Sequence, residues 1–131
     1  TLELMGEKNV MTIKGLEGGI DLSIRRSSTI GQYKNQHGTR TVFDPKDYKC
    51  SGQDIEWNDI EEWQGFALQA LNGEGPLTKA LEWNAGIYFF YAGISSDIKA
   101  GVNKAKEVIN SGFALKHLKK LIDWRQENID S

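Results

Sequence analysis

A mixed α/β or α+β fold, with short strands first and about four helices after them, is what the sequence predicts. β-prone runs of β-branched and alternating residues recur up to Phe43, whereas from about Asn58 the apolar residues return every three or four positions. No internal repeat, low-complexity stretch or Pro/Ser-rich linker separates the two halves. Strands followed by helices describe a small sheet covered by helices, some of whose strand edges wait for sequence that is not here. A length of 131 residues fits a single domain or fragment spanning residues 1–131, because chains divide into domains mainly beyond about 150 to 250 residues.

Leu2, Leu4 and Met5 followed by Gly6 read as the last turn of a helix closed by a glycine. Residues 10–13 form a short β-prone run that meets the cluster Gly15-Leu16-Glu17-Gly18-Gly19, and residues 20–24 resume the alternation, giving strand, loop, strand. Further strands are expected at residues 28–33 and 39–43. Between them the polar turn Asn35-Gln36-His37-Gly38 suits a hairpin, and Asp44-Pro45 stops the second strand.

Ile60, Trp63, Phe66, Ala67, Ala70 and Leu71 mark an amphipathic helix, capped by Asn58 or Asp59 and ended by Gly73. The next helix has Pro76 in its first turn and runs to about Tyr91. Its apolar residues wrap all round, so it is expected to lie between layers or against a partner. A third helix, capped by Ser95 or Ser96, carries Ile98, Val102, Ala105, Val108 and Ile109 on one stripe, with Lys99, Lys104, Lys106 and Glu107 largely outside it. Ser111-Gly112 breaks it. The last helix turns Leu115, Leu118, Leu121 and Ile122 inward and Lys116, Lys119 and Lys120 outward, fraying near Asn128.

A net charge of -2 gives no global attraction to nucleic acid, so such binding needs a local basic patch. The single Cys50 cannot close an internal disulfide, which fits a reducing, cytoplasmic setting. No run of about 18 apolar residues offers a membrane span, and the first residues lack a charged region followed by an apolar one. A start at Thr1 hints at an internal position of a longer protein. His37 and His117 lie far apart with no Cys or His at ligand spacing, which argues against zinc. Cys50 reads as a loop thiol, Trp57, Trp63, Trp83 and Trp124 as core or interface aromatics, and Asn84 as a satisfied buried amide; Trp57, in a loop, could stack on a ligand.

Several stretches resemble the anthranilate phosphoribosyltransferase family, pentosyl (glycosyl) transferases that join anthranilate to the ribose of phosphoribosyl diphosphate in tryptophan biosynthesis. Val10-Met11-Thr12-Ile13-Lys14-Gly15-Leu16-Glu17-Gly18-Gly19-Ile20-Asp21-Leu22-Ser23 looks like the family's strand, glycine turn and Asp-Glu-Ile-Ser segment. Asp44-Pro45-Lys46-Asp47-Tyr48 resembles its Asp-Pro-x-Asp-Phe step. Leu71-Asn72-Gly73-Glu74-Gly75-Pro76, Trp83-Asn84-Ala85-Gly86, Tyr91-Ala92-Gly93, Gly101 and Ile109-Asn110-Ser111-Gly112-Phe113-Ala114, ending at Leu118, are similar to its closing helices. The resemblance covers nearly the whole chain in order. It implies the C-terminal part of a nucleoside phosphorylase/phosphoribosyltransferase-type α/β domain.

The family's chemistry grips a diphosphate with a Gly-Thr-Gly-Gly-Asp loop of backbone N–H groups, and neutralises it with magnesium held by an adjacent Asp-Glu pair. No such loop occurs here, and the lone pair Gly18-Gly19 reads as a turn. The resemblance therefore implies that the chain alone is not catalytic, with no catalytic residue of its own and its phosphate loop in the remainder of the polypeptide upstream. Ile20 stands where the first carboxylate belongs and Asp21 where the second does. Either Glu17 and Asp21 form a rearranged metal site, or the magnesium position is not used. Phosphoribosyl diphosphate and anthranilate are expected ligands only if the full-length protein is active.

The family also includes a branch that lacks this transferase activity and binds nucleic acid. Gly15-Leu16-Glu17-Gly18 followed by Arg25-Arg26 resembles that branch, so Arg25, Arg26, Lys116, Lys119 and Lys120 are candidate phosphate contacts. Asp97, Glu107, Asp123 and Glu127 balance the helix lysines. A second copy of the chain is a further expected partner, through a sheet edge or the apolar helix at residues 77–91.

Overall fold

The computed structural model describes residues 9–14, 21–34 and 37–129. The chain divides into two compact units, Thr1–Asp54 and Ile55–Ser131. The first holds strands β1 (Asn9–Lys14), β2 (Ser28–Lys34) and β3 (His37–Phe43), followed by a 3-10 turn at Pro45–Tyr48. The second holds helices α1 (Ile60–Leu71), α2 (Thr78–Tyr91), α3 (Ile98–Asn110) and α4 (Phe113–Ile129). Strands precede helices, as the change of period predicts.

The sheet is antiparallel in the order β1-β2-β3. Central β2 pairs Ile30 with Ile13 on one side and Thr41 on the other, and Ile30 is fully buried while β3 is exposed along nearly all its length. Lys34 faces His37, so β2 and β3 form the expected hairpin, with its two connecting residues outside the described set. Gly31 lies opposite Thr12, whose Oγ1 donates to the Gly31 carbonyl at 3.3 Å. A Cβ at Gly31 would sit 2.6 Å from that oxygen. The expected helix turn ending at Gly6 and the glycine cluster at residues 15–19 both fall outside the described residues.

Residues 21–24 are not a strand, contrary to the alternation. Leu22 and Ile24 are buried at 2% and 6% exposure, so the alternation locates the apolar positions without giving their backbone. Local bonds supply the alternative: the Arg25 N–H donates to Ser23 Oγ at 3.0 Å, and the Ile24 carbonyl accepts from Gly52 N–H at 3.1 Å. Side-chain capping of the backbone here competes with ladder pairing.

Asp44 ends β3 as expected and also caps the turn after it. Its Oδ1 accepts from the Lys46 N–H at 2.9 Å and its Oδ2 from the Ser27 hydroxyl at 3.0 Å. Those bonds, the backbone one foremost, hold its carboxyl below the ordinary aspartate range. Their contribution is present above the unfolded pKa and is lost as pH falls through the lowered folded value. Cys50 lies in the loop after this turn, as expected, and is fully buried there, its Sγ 3.4 Å from the Tyr48 carbonyl.

α1 starts where Asp59 accepts the Glu62 N–H at 2.8 Å, and Gly73, at φ +80°, follows its end. α2 begins at Thr78, two residues after Pro76, with Leu77 at its cap position and no side-chain cap bond. Thr78 Oγ1 donates instead to the Glu74 and Gly75 carbonyls at 2.6 and 3.0 Å. The cap of α3 is Asp97, not Ser95 or Ser96, and its carboxylate accepts the Ala100 N–H at 2.8 Å. A carboxylate there also suits the helix N-terminus electrostatically. α3 ends before Gly112, whose φ is +73°.

α2 and α3 form the core of this unit. Trp83 and Ile87 are fully buried on α2, and Ile98, Val102, Ala105 and Ile109 on α3 are each at or below 4% exposure. Their backbones touch at two glycines. A Cβ on Gly101 would collide with the Gly86 carbonyl oxygen, and one on Gly86 would lie 2.6 Å from Val102 Cγ2. The apolar α2 therefore finds much of its cover within its own unit. Asn84 bonds the Ala80 carbonyl at 3.0 Å, the satisfied amide expected of it. Glu82 and Lys106 pair across the two helices at 3.7 Å.

α4 runs to Ile129 and buries no residue fully. Leu115 and Leu118 are half-buried, but Leu121 and Ile122 are 55% and 45% exposed, which overturns their inward assignment. Trp57 and Trp124 are exposed as well, leaving Trp83 as the fully buried tryptophan. Among the described residues no helix is long and apolar enough to cross a membrane.

Candidate functional site

The family-like segment after the glycine cluster is anchored by its apolar residues. Burial of Leu22 and Ile24 and the bond from Gly52 fix the loop, so Asp21, Arg25 and Arg26 are left exposed. Arg25 reaches Asp54 at 3.6 Å, with both side chains more than half exposed. Such a pair holds a loop only weakly in water. Beside it Ser27 and Asp44 join the loop to the end of β3. The result is a surface where one carboxylate, Asp21, and two guanidinium groups project without burial.

Asp21 offers one hard oxygen ligand. Glu17 and Ile20 lie outside the described residues, and among the described residues no group of three or more His, Cys, Asp or Glu could hold a metal ion. Magnesium takes octahedral oxygen coordination, in which carboxylates are joined by water and phosphate oxygens. The described residues alone do not assemble that donor set. His37 opens β3 and His117 lies on α4, in different units, and both are exposed.

The five candidate phosphate contacts are divided in the same way. Arg25 and Arg26 belong to the sheet unit, and Lys116, Lys119 and Lys120 to α4 in the helical unit. Neither unit by itself gathers all five.

The other family-like segments meet within the helical unit. The loop between α1 and α2 lies against Asn110 at the end of α3, where a Cβ on Gly73 would stand 2.8 Å from Asn110 Oδ1. Gly75, at φ +78°, packs on Gln69. These glycines admit close contacts and positive φ, which is a packing role.

One acidic stretch of the sequence was not anticipated. Between Lys49 and Lys79 there is no Lys or Arg, while Asp54, Glu56, Asp59, Glu61, Glu62 and Glu74 are all acidic. The run surrounds Trp57, which is 59% exposed and meets Trp63 with ring centroids 5.5 Å apart at 49°. The absence of basic residues over that stretch was the available signal.

Comparison with known proteins finds similarity to anthranilate phosphoribosyltransferases. An anthranilate phosphoribosyltransferase from Desulfatibacillum aliphaticivorans is 32% identical over 133 residues, covering 97% of this chain and 39% of that protein. One from Methanobrevibacter smithii is 28% identical over 127 residues, covering 94% and 38%. Among solved structures, the anthranilate phosphoribosyltransferase from Saccharomyces cerevisiae in complex with 4-fluoroanthranilate superposes with a TM-score of 0.71 at 18% identity. That match covers 93% of this chain and 37% of that one. The chain thus spans about two fifths of the curated relatives it matches. No family model matches the chain.

Proposed function

Because the chain is a relative of the anthranilate phosphoribosyltransferases along nearly its whole length, and adopts the fold of part of one, we propose that it is the C-terminal portion of a phosphoribosyltransferase-like protein. In this reading residues 1–131 complete a catalytic domain without performing its chemistry. Coverage carries the proposal: the D. aliphaticivorans match takes in 97% of this chain but only 39% of that protein. The diphosphate grip of the family is a glycine-rich loop absent from this sequence.

Asp21, with Glu17, is what this chain would lend to a magnesium-bound diphosphate, Ile20 having replaced the other family carboxylate. Anthranilate and phosphoribosyl diphosphate are substrates of the whole protein in this reading, not ligands of the isolated chain. Its partners are the remainder of a longer polypeptide and, through exposed apolar surface, a second copy.

The test is an assay of product formation from anthranilate, phosphoribosyl diphosphate and magnesium. The isolated chain is expected to give none. Exchanged for the matching segment of the D. aliphaticivorans enzyme, it is expected to give a folded chimera with measurable turnover. Turnover by the isolated chain, or a folded chimera without product, would overturn the proposal.

A further inference from the structure

Within the sheet unit the loop at residues 21–27, which carries the family-like Asp21, is strapped to residues 44–54 at three points. The Ile24 carbonyl accepts from the Gly52 N–H at 3.1 Å, Arg25 pairs with Asp54 at 3.6 Å, and the Ser27 hydroxyl donates to Asp44 Oδ2 at 3.0 Å. Buried side chains anchor both segments, Leu22 and Ile24 in the loop and Pro45 and Cys50 in the strap. Gly52 is part of the fit, since a Cβ there would stand 2.7 Å from Ile24 Cδ1. The strap is itself held in shape: Asp44 caps its first turn, and the Cys50 N–H donates to the Pro45 carbonyl at 2.9 Å.

These ties distinguish two arginines that the sequence presents as equals. Arg25 is engaged by Asp54 and Ser27 by Asp44, so the residues on both sides of Arg26 are held. Arg26 itself is exposed and makes no ion pair among the described residues. A guanidinium is a planar fork of donors that matches phosphate oxygens, and fixing the backbone on both sides of it reduces the entropy lost on binding. Ile20 stands where the family has a carboxylate, so the loop offers one acidic ligand fewer to a metal. Part of the charge of a bound diphosphate is then left for a cation of the protein to meet.

We propose that Arg26 contacts the diphosphate of phosphoribosyl diphosphate in the complete protein, and that Ser27, Asp44 and Asp54 are positioning residues that hold the loop for that contact. The identity of the ligand rests on the transferase reading, whereas the separate parts of Arg25 and Arg26 follow from the ties.

Calorimetric titration of inorganic diphosphate, with magnesium present, into the folded chimera with the D. aliphaticivorans enzyme tests it, alongside the KM of each substrate. Arg26→Ala should weaken diphosphate binding about tenfold, the worth of one charge-assisted contact. Arg26→Lys should weaken it about threefold, because a point charge replaces the fork. Arg25→Ala, which loses only an exposed tie, should cost less than about threefold. Ser27→Ala should weaken binding about threefold and Ser27→Thr restore it, since threonine keeps the hydroxyl. The KM for phosphoribosyl diphosphate should rise in step while that for anthranilate stays within about twofold, a split that general loosening of the fold does not produce. Diphosphate binding without turnover sinks the transferase reading, and the calorimetric order of the variants still decides this one. Equal losses for Arg25→Ala and Arg26→Ala, unchanged diphosphate binding by Arg26→Ala, or a folded chimera that binds no diphosphate would overturn the proposal. So would an Arg26→Ala variant that loses affinity for a single-stranded oligonucleotide while keeping it for diphosphate.

Discussion

α3 buries Ile98, Val102, Ala105 and Ile109 to 4% exposure or less, whereas α4, two residues further along, leaves Leu121 and Ile122 at 55% and 45%. Both helices place apolar residues at spacings of three and four with lysines between them. What separates them is the surface each one meets. α3 presents Gly101 to Gly86 of α2, so the two backbones touch and the side chains around them interlock. α4 has no such counterpart among the described residues and rests by Leu115 and Leu118 only partly covered. Periodicity tells which side of a helix is apolar. Small residues on a neighbour decide how completely that side is buried.

The largest effect should come from closing the gap between α2 and α3. Gly101→Ala places a methyl group on the Gly86 carbonyl, and neither backbone can yield without moving its helix. A loss of about 3 kcal/mol is expected in urea unfolding followed by circular dichroism, near the upper end of overpacking penalties. A neutral result would mean that the close approach does not hold the pair together.

A matched pair of deletions sharpens the contrast. Ile109→Ala on α3 should cost about 2 to 3 kcal/mol, because it empties a buried site. Ile122→Ala on α4 should change stability by less than about 0.5 kcal/mol in dilute monomer, where the side chain is already wet. Equal losses would erase the distinction between the two helices. The smallest effect belongs to the start of α3: Asp97→Ala should cost about 1 kcal/mol while Ser96→Ala leaves stability unchanged. The reverse order would return the cap to the serine.

Much of the fold was legible in the sequence because its signals are local. The hairpin of β2 and β3, the stop at Asp44-Pro45, the cap at Asp59 and the glycine ends of α1 and α3 all follow from residue type and spacing. Sequence and structure part where two local signals compete. At residues 21–24 alternation marks Leu22 and Ile24 as apolar anchors, but the Ser23 hydroxyl and the bond from Gly52 take the backbone out of any ladder. At α3, Ser95, Ser96 and Asp97 are all good capping residues, and only the phase of the helix selects the aspartate.

The candidate site was less legible. Asp21, Arg25 and Arg26 are found by resemblance, and the structure leaves them exposed on a loop of the sheet unit, while Lys116, Lys119 and Lys120 belong to the helical unit. Resemblance transfers residue types, and it carries no information about groups that a longer relative contributes from elsewhere. The acidic run around Trp57 escapes notice for another reason: its signal is a lack of Lys and Arg, which motif reading does not register.

The contact of Gly86 with Gly101 also bears on the order in which the chain folds. α2 and α3 are consecutive, joined by six residues, so their tight pairing closes only a short loop. β1 and β2, by contrast, must be brought together across residues 15–27 before Ile13 can face Ile30. Short-range pairing is kinetically favoured over pairing across a longer separation. By the same measure the α2–α3 hairpin forms ahead of the pairing of β1 with β2, and the β2–β3 hairpin, joined by two residues, closes a shorter loop still.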